Sequence, residues 1–110
     1  EKLYGVKEGW AHTEVLIALM HVIEYSGDEW AKLWYDRTHA YIMEKFDTPC
    51  GVWKQSLNRY GGEVDRSLKI RSRWHPMRRD NFHQPRALMM NLLSLERMIA
   101  NKGVVTDAFA

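Results

Sequence analysis

The stretch WAHTEVLIALMHVIEYSGD, residues 10 to 28, constrains this chain more than any other. Leu16, Leu19, Met20 and Ile23 recur at helical spacing, while Val15, Ile17 and Val22 fill the remaining faces. A helix apolar nearly all round must be buried on most sides. The chain has 110 residues, 45% of them hydrophobic, so one domain at most is expected, with only a modest core.

Gly27 is a natural helix stop and Asp28 a natural N-cap for a second helix from Glu29 to about Phe46. Its stripe is Trp30, Leu33, Trp34, Tyr41, Ile42 and Phe46, with Glu29, Lys32, Asp36 and Arg37 largely off it. The short connector 26–28 predicts an antiparallel helix hairpin. DTPCG, residues 47 to 51, breaks the pattern. VWKQSLN and EVDRSLKIR then read as two short strands around the RYGG turn, a small β-hairpin. An irregular polar stretch follows from Ser72 to Gln84. Pro85 suits the first position of a last helix running to about Lys102, with Leu88, Leu92, Leu95 and Ile99 as its apolar stripe and Gly103 as its end. Residues 104–110 read as a loose tail.

The formal net charge of +2 is too weak to argue for nucleic acid or an anionic membrane. Basic residues do gather between Lys69 and Arg86. They could hold a phosphate or RNA, although a solvated loop is the more frequent outcome. Cys50 is the sole cysteine, so no intrachain disulfide can form and no cysteine-based zinc site is expected; a reducing, cytoplasmic setting follows. No apolar run reaches the roughly 18 residues that span a bilayer. No signal peptide is visible, and a start at Glu1 rather than methionine points to a trimmed chain or a fragment.

His83 stands at the entrance of the last helix, where the positive end of the helix dipole favours the neutral imidazole that a general base needs. Arg86, one turn in, adds charge beside it. The competing reading is a histidine that only satisfies local hydrogen bonds. His12 and Glu14 open the first helix but point about 200° apart. A buried Glu14 would need a charged or donating partner; otherwise it is a solvated first-turn glutamate. His21 reads as a satisfied core histidine. No histidine pair has metal-ligand helical spacing with a carboxylate, so no metal is expected. The tryptophans are expected mostly in the core, with Trp10 and Trp74 the two placed for sugar stacking.

The order Trp10-x-His12-x-Glu14, then YSGD, then SLNRYGGEV, then Phe82-His83-x-Pro85-Arg86 resembles the C-terminal part of the N-acylglucosamine 2-epimerase family, over roughly residues 9 to 100. The resemblance implies an all-α fold: the C-terminal portion of a single (α/α)6 barrel, with helix hairpins and the small β-hairpin as an insertion. A full barrel of twelve helices needs about 300 residues, so residues 1–110 would be one segment of it, completed by the remainder of the barrel as partner. A homodimer stays open.

The resemblance implies an enzyme acting at carbon 2 of a free aldose or N-acyl hexosamine, by epimerisation or aldose–ketose isomerisation, without metal or cofactor. His83 would be one of two catalytic histidines, the other lying in a segment before this one. Glu14 would orient His83, and Trp10 would line the sugar pocket; His12, Arg86 and Trp74 are further candidates for sugar contact. Position 9 departs from the family's paired tryptophans, being glycine. A non-catalytic carbohydrate-binding relative of the same fold is the alternative, and an anion- or RNA-binding module the third.

Overall fold

The computed structural model describes residues 6–62 and 82–105. They form three helices and a two-stranded antiparallel sheet, in the order β1 (Lys7–Glu8), α1 (Gly9–Ser26), α2 (Glu29–Lys45), β2 (Ser56–Leu57) and α3 (His83–Asn101).

Helix α1 lies between the other two. Leu16, Ile17, Leu19 and Met20 are buried, as its composition requires, while Val15 faces out. It ends at Gly27, whose φ of 68° is left-handed and whose N–H donates to the carbonyls of Val22 and Ile23. Asp28 takes the N-cap position of α2 in extended conformation, without a side-chain capping bond.

Helices α1 and α2 are antiparallel, because the start of α1 packs on the end of α2. The His12 ring lies 4.7 Å from Phe46 and is stacked on Tyr41. Leu16, Ile42, Phe46, Trp53 and Leu57 form the buried apolar cluster beneath them. Only the second half of the expected α2 stripe turns inward. Trp30, Leu33 and Trp34 are exposed, and Ala31 takes the buried position on that half.

Helices α1 and α3 run parallel, because two ion pairs cross between them at successive levels. Glu14 meets Arg86 near both starts, and Glu24 meets Arg97 near both ends. The leucine stripe expected to bury α3 does the opposite. Leu88, Leu92, Leu95 and Ile99 are exposed, and the face against α1 is Ala87, Asn91 and Ser94. Small side chains there let the backbones approach, and Asn91 is satisfied by the Tyr35 hydroxyl (2.6 Å) and by the Ala87 carbonyl (2.9 Å).

Three boundaries differ from those expected. Helix α3 begins at His83 rather than Pro85, so the proline is its third residue. The missing N–H is harmless there, since the first four have no intrahelical acceptor. At the far end Lys102, not Gly103, is the left-handed residue, at φ 58°. The strand containing Leu57 pairs with β1 (Lys7↔Leu57, Glu8↔Ser56). The RYGG turn is present: Asn58 N–H donates to the Gly62 carbonyl, and its Oδ1 accepts from Tyr60 and Gly62. The expected second hairpin strand lies beyond Gly62, outside the described residues. So does residues 72–81 of the irregular stretch. The start of the tail is tied down, Val105 N–H donating to the Glu24 carbonyl at 2.7 Å, and residues 106–110 lie outside the described residues. No described helix is long and apolar enough to cross a membrane.

Candidate functional site at two helix starts

The parallel course of α1 and α3 brings both N-termini to one end of the molecule. The helix dipoles therefore add there, giving a local positive potential. Trp10 stands in the first turn of α1, half exposed, and its ring lies 6.1 Å from the His83 imidazole at 44°. Phe82 meets the same imidazole edge-on at 5.1 Å. One turn further along each helix, the Arg86 guanidinium donates through Nη2 to Glu14 Oε1. Its Cζ also lies 5.1 Å above the Phe82 ring. Trp10, Glu14, Phe82, His83 and Arg86 thus form one constellation: an aromatic rim around an imidazole, with an ion pair at its base.

Glu14 lies in the second turn of α1, not the first, and its partner is a cation on a different helix. His12 faces the other way, as two residues of helix demand. Its Nδ1 is 2.7 Å from the Glu8 carbonyl and its ring packs on Phe46, between α1 and α2. Nε2 is the edge left to reach a ligand. His21 is partly exposed rather than core, with Nδ1 4.0 Å from Glu24. Trp74 and the basic residues Lys69 to Arg79 lie outside the described residues. No cluster of three or more metal-ligating side chains occurs among the described residues.

Two positioning features had no local signal in the sequence. Gln84, the middle residue of Phe82-His83-Gln84-Pro85-Arg86, accepts from the Trp53 N–H and donates to the Gly51 carbonyl, both at 2.9 Å. It pins the start of α3, and His83 with it, to the loop after α2. Gly9 packs directly on the backbone before β2, its N–H donating to the Gln55 carbonyl at 2.8 Å. A Cβ there would sit 3.0 Å from the Lys54 carbonyl oxygen and 3.2 Å from that of Gln55. Glycine at position 9 is the residue this close approach requires.

Glu8 lies on β1, immediately before α1. Burial pushes its carboxyl up, against the pull of the Ser56 hydroxyl that donates to it.

The family model for N-acylglucosamine 2-epimerase matches residues 4–78. The chain belongs to the N-acylglucosamine 2-epimerase family. No curated protein matches it. The matched range includes Trp10, His12, Glu14 and Trp74; His83 and Arg86 follow it and join the site through the packing of α3 on α1. In this 2-epimerase family member, then, the matched helix and the unmatched one meet at the same end.

Proposed function

We propose that the protein is a sugar 2-epimerase or aldose–ketose isomerase, acting on a free aldose or N-acyl hexosamine, with this chain as the C-terminal part of its barrel. The observation that carries the reading is that Trp10 meets His83, and Glu14 meets Arg86 one turn further on, at the joined N-termini of α1 and α3.

The chemistry suits that end of the molecule. A proton on carbon 2 is acidic only because carbon 1 is a carbonyl in the open-chain sugar. His83 takes that proton on its neutral ring nitrogen, and the C–H electron pair moves to form the carbon 1–carbon 2 double bond while the carbonyl oxygen becomes an enediolate oxygen. Two helix N-termini stabilise the developing negative charge. Glu14 orients the imidazole and favours its protonated form once the proton has moved. Trp10 stacks on the sugar's apolar face, and His12, Arg86 and Trp74 stand as further contacts to test. Return of a proton to the opposite face of carbon 2 gives the epimer; for a sugar with a hydroxyl on carbon 2, delivery to carbon 1 with transfer of that hydroxyl's proton to the carbon 1 oxygen gives the ketose. The opposite-face histidine comes from a segment before this one, as the family resemblance implies.

The same reading makes the remainder of the barrel the partner of the exposed faces. Leu88, Leu92, Leu95 and Ile99 on α3, and Trp30, Leu33 and Trp34 on α2, are large apolar side chains left exposed among the described residues, the kind of surface a further element covers.

The test is isotope exchange. The whole protein, incubated in heavy water with mannose, glucose, N-acetylmannosamine and cellobiose, is expected to place deuterium at carbon 2 of at least one. His83→Asn is expected to abolish exchange while leaving the circular dichroism spectrum intact. Sugar binding without exchange, unchanged in His83→Asn, would assign a carbohydrate-binding relative instead.

A further inference from the structure

Resting on the isomerase reading above, we infer that Arg86 is a positioning residue that acts through Glu14: it seats the carboxylate that orients His83 and does not itself grip the sugar.

Three observations support this. Nη2 of Arg86 is engaged by Glu14 Oε1 across the α1–α3 contact. The guanidinium is also stacked on Phe82, the residue just before α3 and adjacent to His83. Finally, Arg86 Nε is closed off from solvent and has no hydrogen-bond partner among the described residues. A donor that water cannot reach is not offered to a sugar hydroxyl. With Nη2 on the carboxylate, its plane on an aromatic ring and Nε inside the packing, the described contacts of the guanidinium are to the protein, while the side chain as a whole keeps 34% exposure. Planarity matters for this use: an ammonium could neutralise Glu14 but could not lie on Phe82 and hold the carboxylate at a fixed angle together.

The consequence is a relay. Arg86 and His83 are separated by one turn of α3, and Glu14 and Trp10 by one turn of α1. Fixing Glu14 from the base of the site fixes the carboxylate relative to the imidazole at its rim. Released from Arg86, a Glu14 that is already partly exposed turns toward water, and the orienting role proposed for it at His83 is lost.

Four forms of the whole protein test the inference: wild type, Arg86→Ala, Glu14→Gln and the double variant, with the His83 imidazole followed by NMR without substrate. The expected result is that Arg86→Ala shifts the His83 signal about as far as Glu14→Gln does, and shifts it no further in the Glu14→Gln background. An equal shift in both backgrounds would show that Arg86 reaches His83 without Glu14 and would overturn the relay. In turnover, Arg86→Ala is expected to lower kcat by on the order of a hundredfold, as loss of alignment does, with KM within about threefold. A raised KM at unchanged kcat is the mark of lost sugar binding and would overturn it too. Arg86→Lys keeps the charge and stem if the alanine variant fails to fold; it is expected to recover part of kcat. A wild type without exchange on any sugar removes the isomerase reading, while the imidazole measurement still decides whether Arg86 acts through Glu14.

Discussion

Glu24 on α1 is fully closed to solvent, and Arg97 on α3 forks it, Nε to Oε1 at 2.5 Å and Nη2 to Oε2 at 3.2 Å. Ser94 supports the same guanidinium at 3.2 Å. A buried carboxylate left without its cation is strongly destabilising, whereas replacing both members by apolar groups of similar volume is often neutral. Arg97→Met alone is therefore expected to lower the thermal midpoint by on the order of 5 °C or more. Glu24→Leu added to it should recover most of that loss. Thermal melts of the three variants check this; a double variant no better than Arg97→Met would mean the pair contributes net stability of its own.

The two carboxylates with shifted titration should mark the acid limb with opposite signs. Hydrogen bonding from Arg97 outweighs burial and holds Glu24 below the ordinary 4.5. Its stabilisation is present above that value and is lost as pH falls through the lower folded value. Glu8 is pushed above 4.5, burial outweighing the Ser56 hydroxyl. Its contribution is present below 4.5 and is lost as pH rises through the higher folded value. Relative to wild type, Glu8→Gln should therefore flatten the stability profile above pH 4.5, and Glu24→Gln should flatten it below. Denaturant midpoints from pH 3 to 7 read both differences.

Tyr35 donates to Asn91 Oδ1 at 2.6 Å, a contact that joins α2 to α3. Asn91 is buried and its amide nitrogen is already used on Ala87. Tyr35→Phe removes the one donor to that oxygen among the described residues, which should cost about 1–2 kcal/mol in urea unfolding. Loss below a few tenths would mean that water takes the hydroxyl's place.

Much of the helix framework is legible in the sequence, because it rests on local chemistry. Gly27 and Asp28 mark a real boundary, and Trp10 to Glu14 and His83 to Arg86 are each one turn by spacing alone. What the sequence hides is which face each helix turns toward its neighbour. The leucines of α3 were the obvious inward stripe, yet Ala87, Asn91 and Ser94 face α1, because close parallel packing needs small groups and the Glu24–Arg97 pair fixes the rotation of the helix. The α2 stripe splits for a related reason: Tyr41, Ile42 and Phe46 have the start of α1 and the loop at Trp53 against them, whereas Trp30, Leu33 and Trp34 have no described element over them. The Glu14–Arg86 contact is equally invisible locally, since its partners are 72 residues apart.

Gln84 makes two bonds of opposite polarity, accepting from Trp53 and donating to Gly51. Gln84→Glu keeps the acceptor and loses the donor, setting a carboxylate against the Gly51 carbonyl. The expected cost is about 1 kcal/mol of stability. On the proposed function the larger effect should fall on exchange at carbon 2, because His83 is the residue just before Gln84 and is positioned by the same anchor. Comparing the loss of kcat with the loss of stability checks this: parallel small losses would make Gln84 a structural staple only.

The exposed α3 face gives a measurement that does not depend on catalysis. Leu92 is among the most exposed apolar residues described, at 60%, and Ile99 is at 75%. In the isolated 110-residue chain, Leu92→Lys should change stability by no more than about 0.5 kcal/mol and should raise solubility, as surface substitutions do. In the whole protein, with the proposed remainder of the barrel over that face, the same substitution buries a charge without a partner and should cost about 3 kcal/mol or more. Equal and small effects in both settings would show that nothing in the whole protein covers α3 at Leu92.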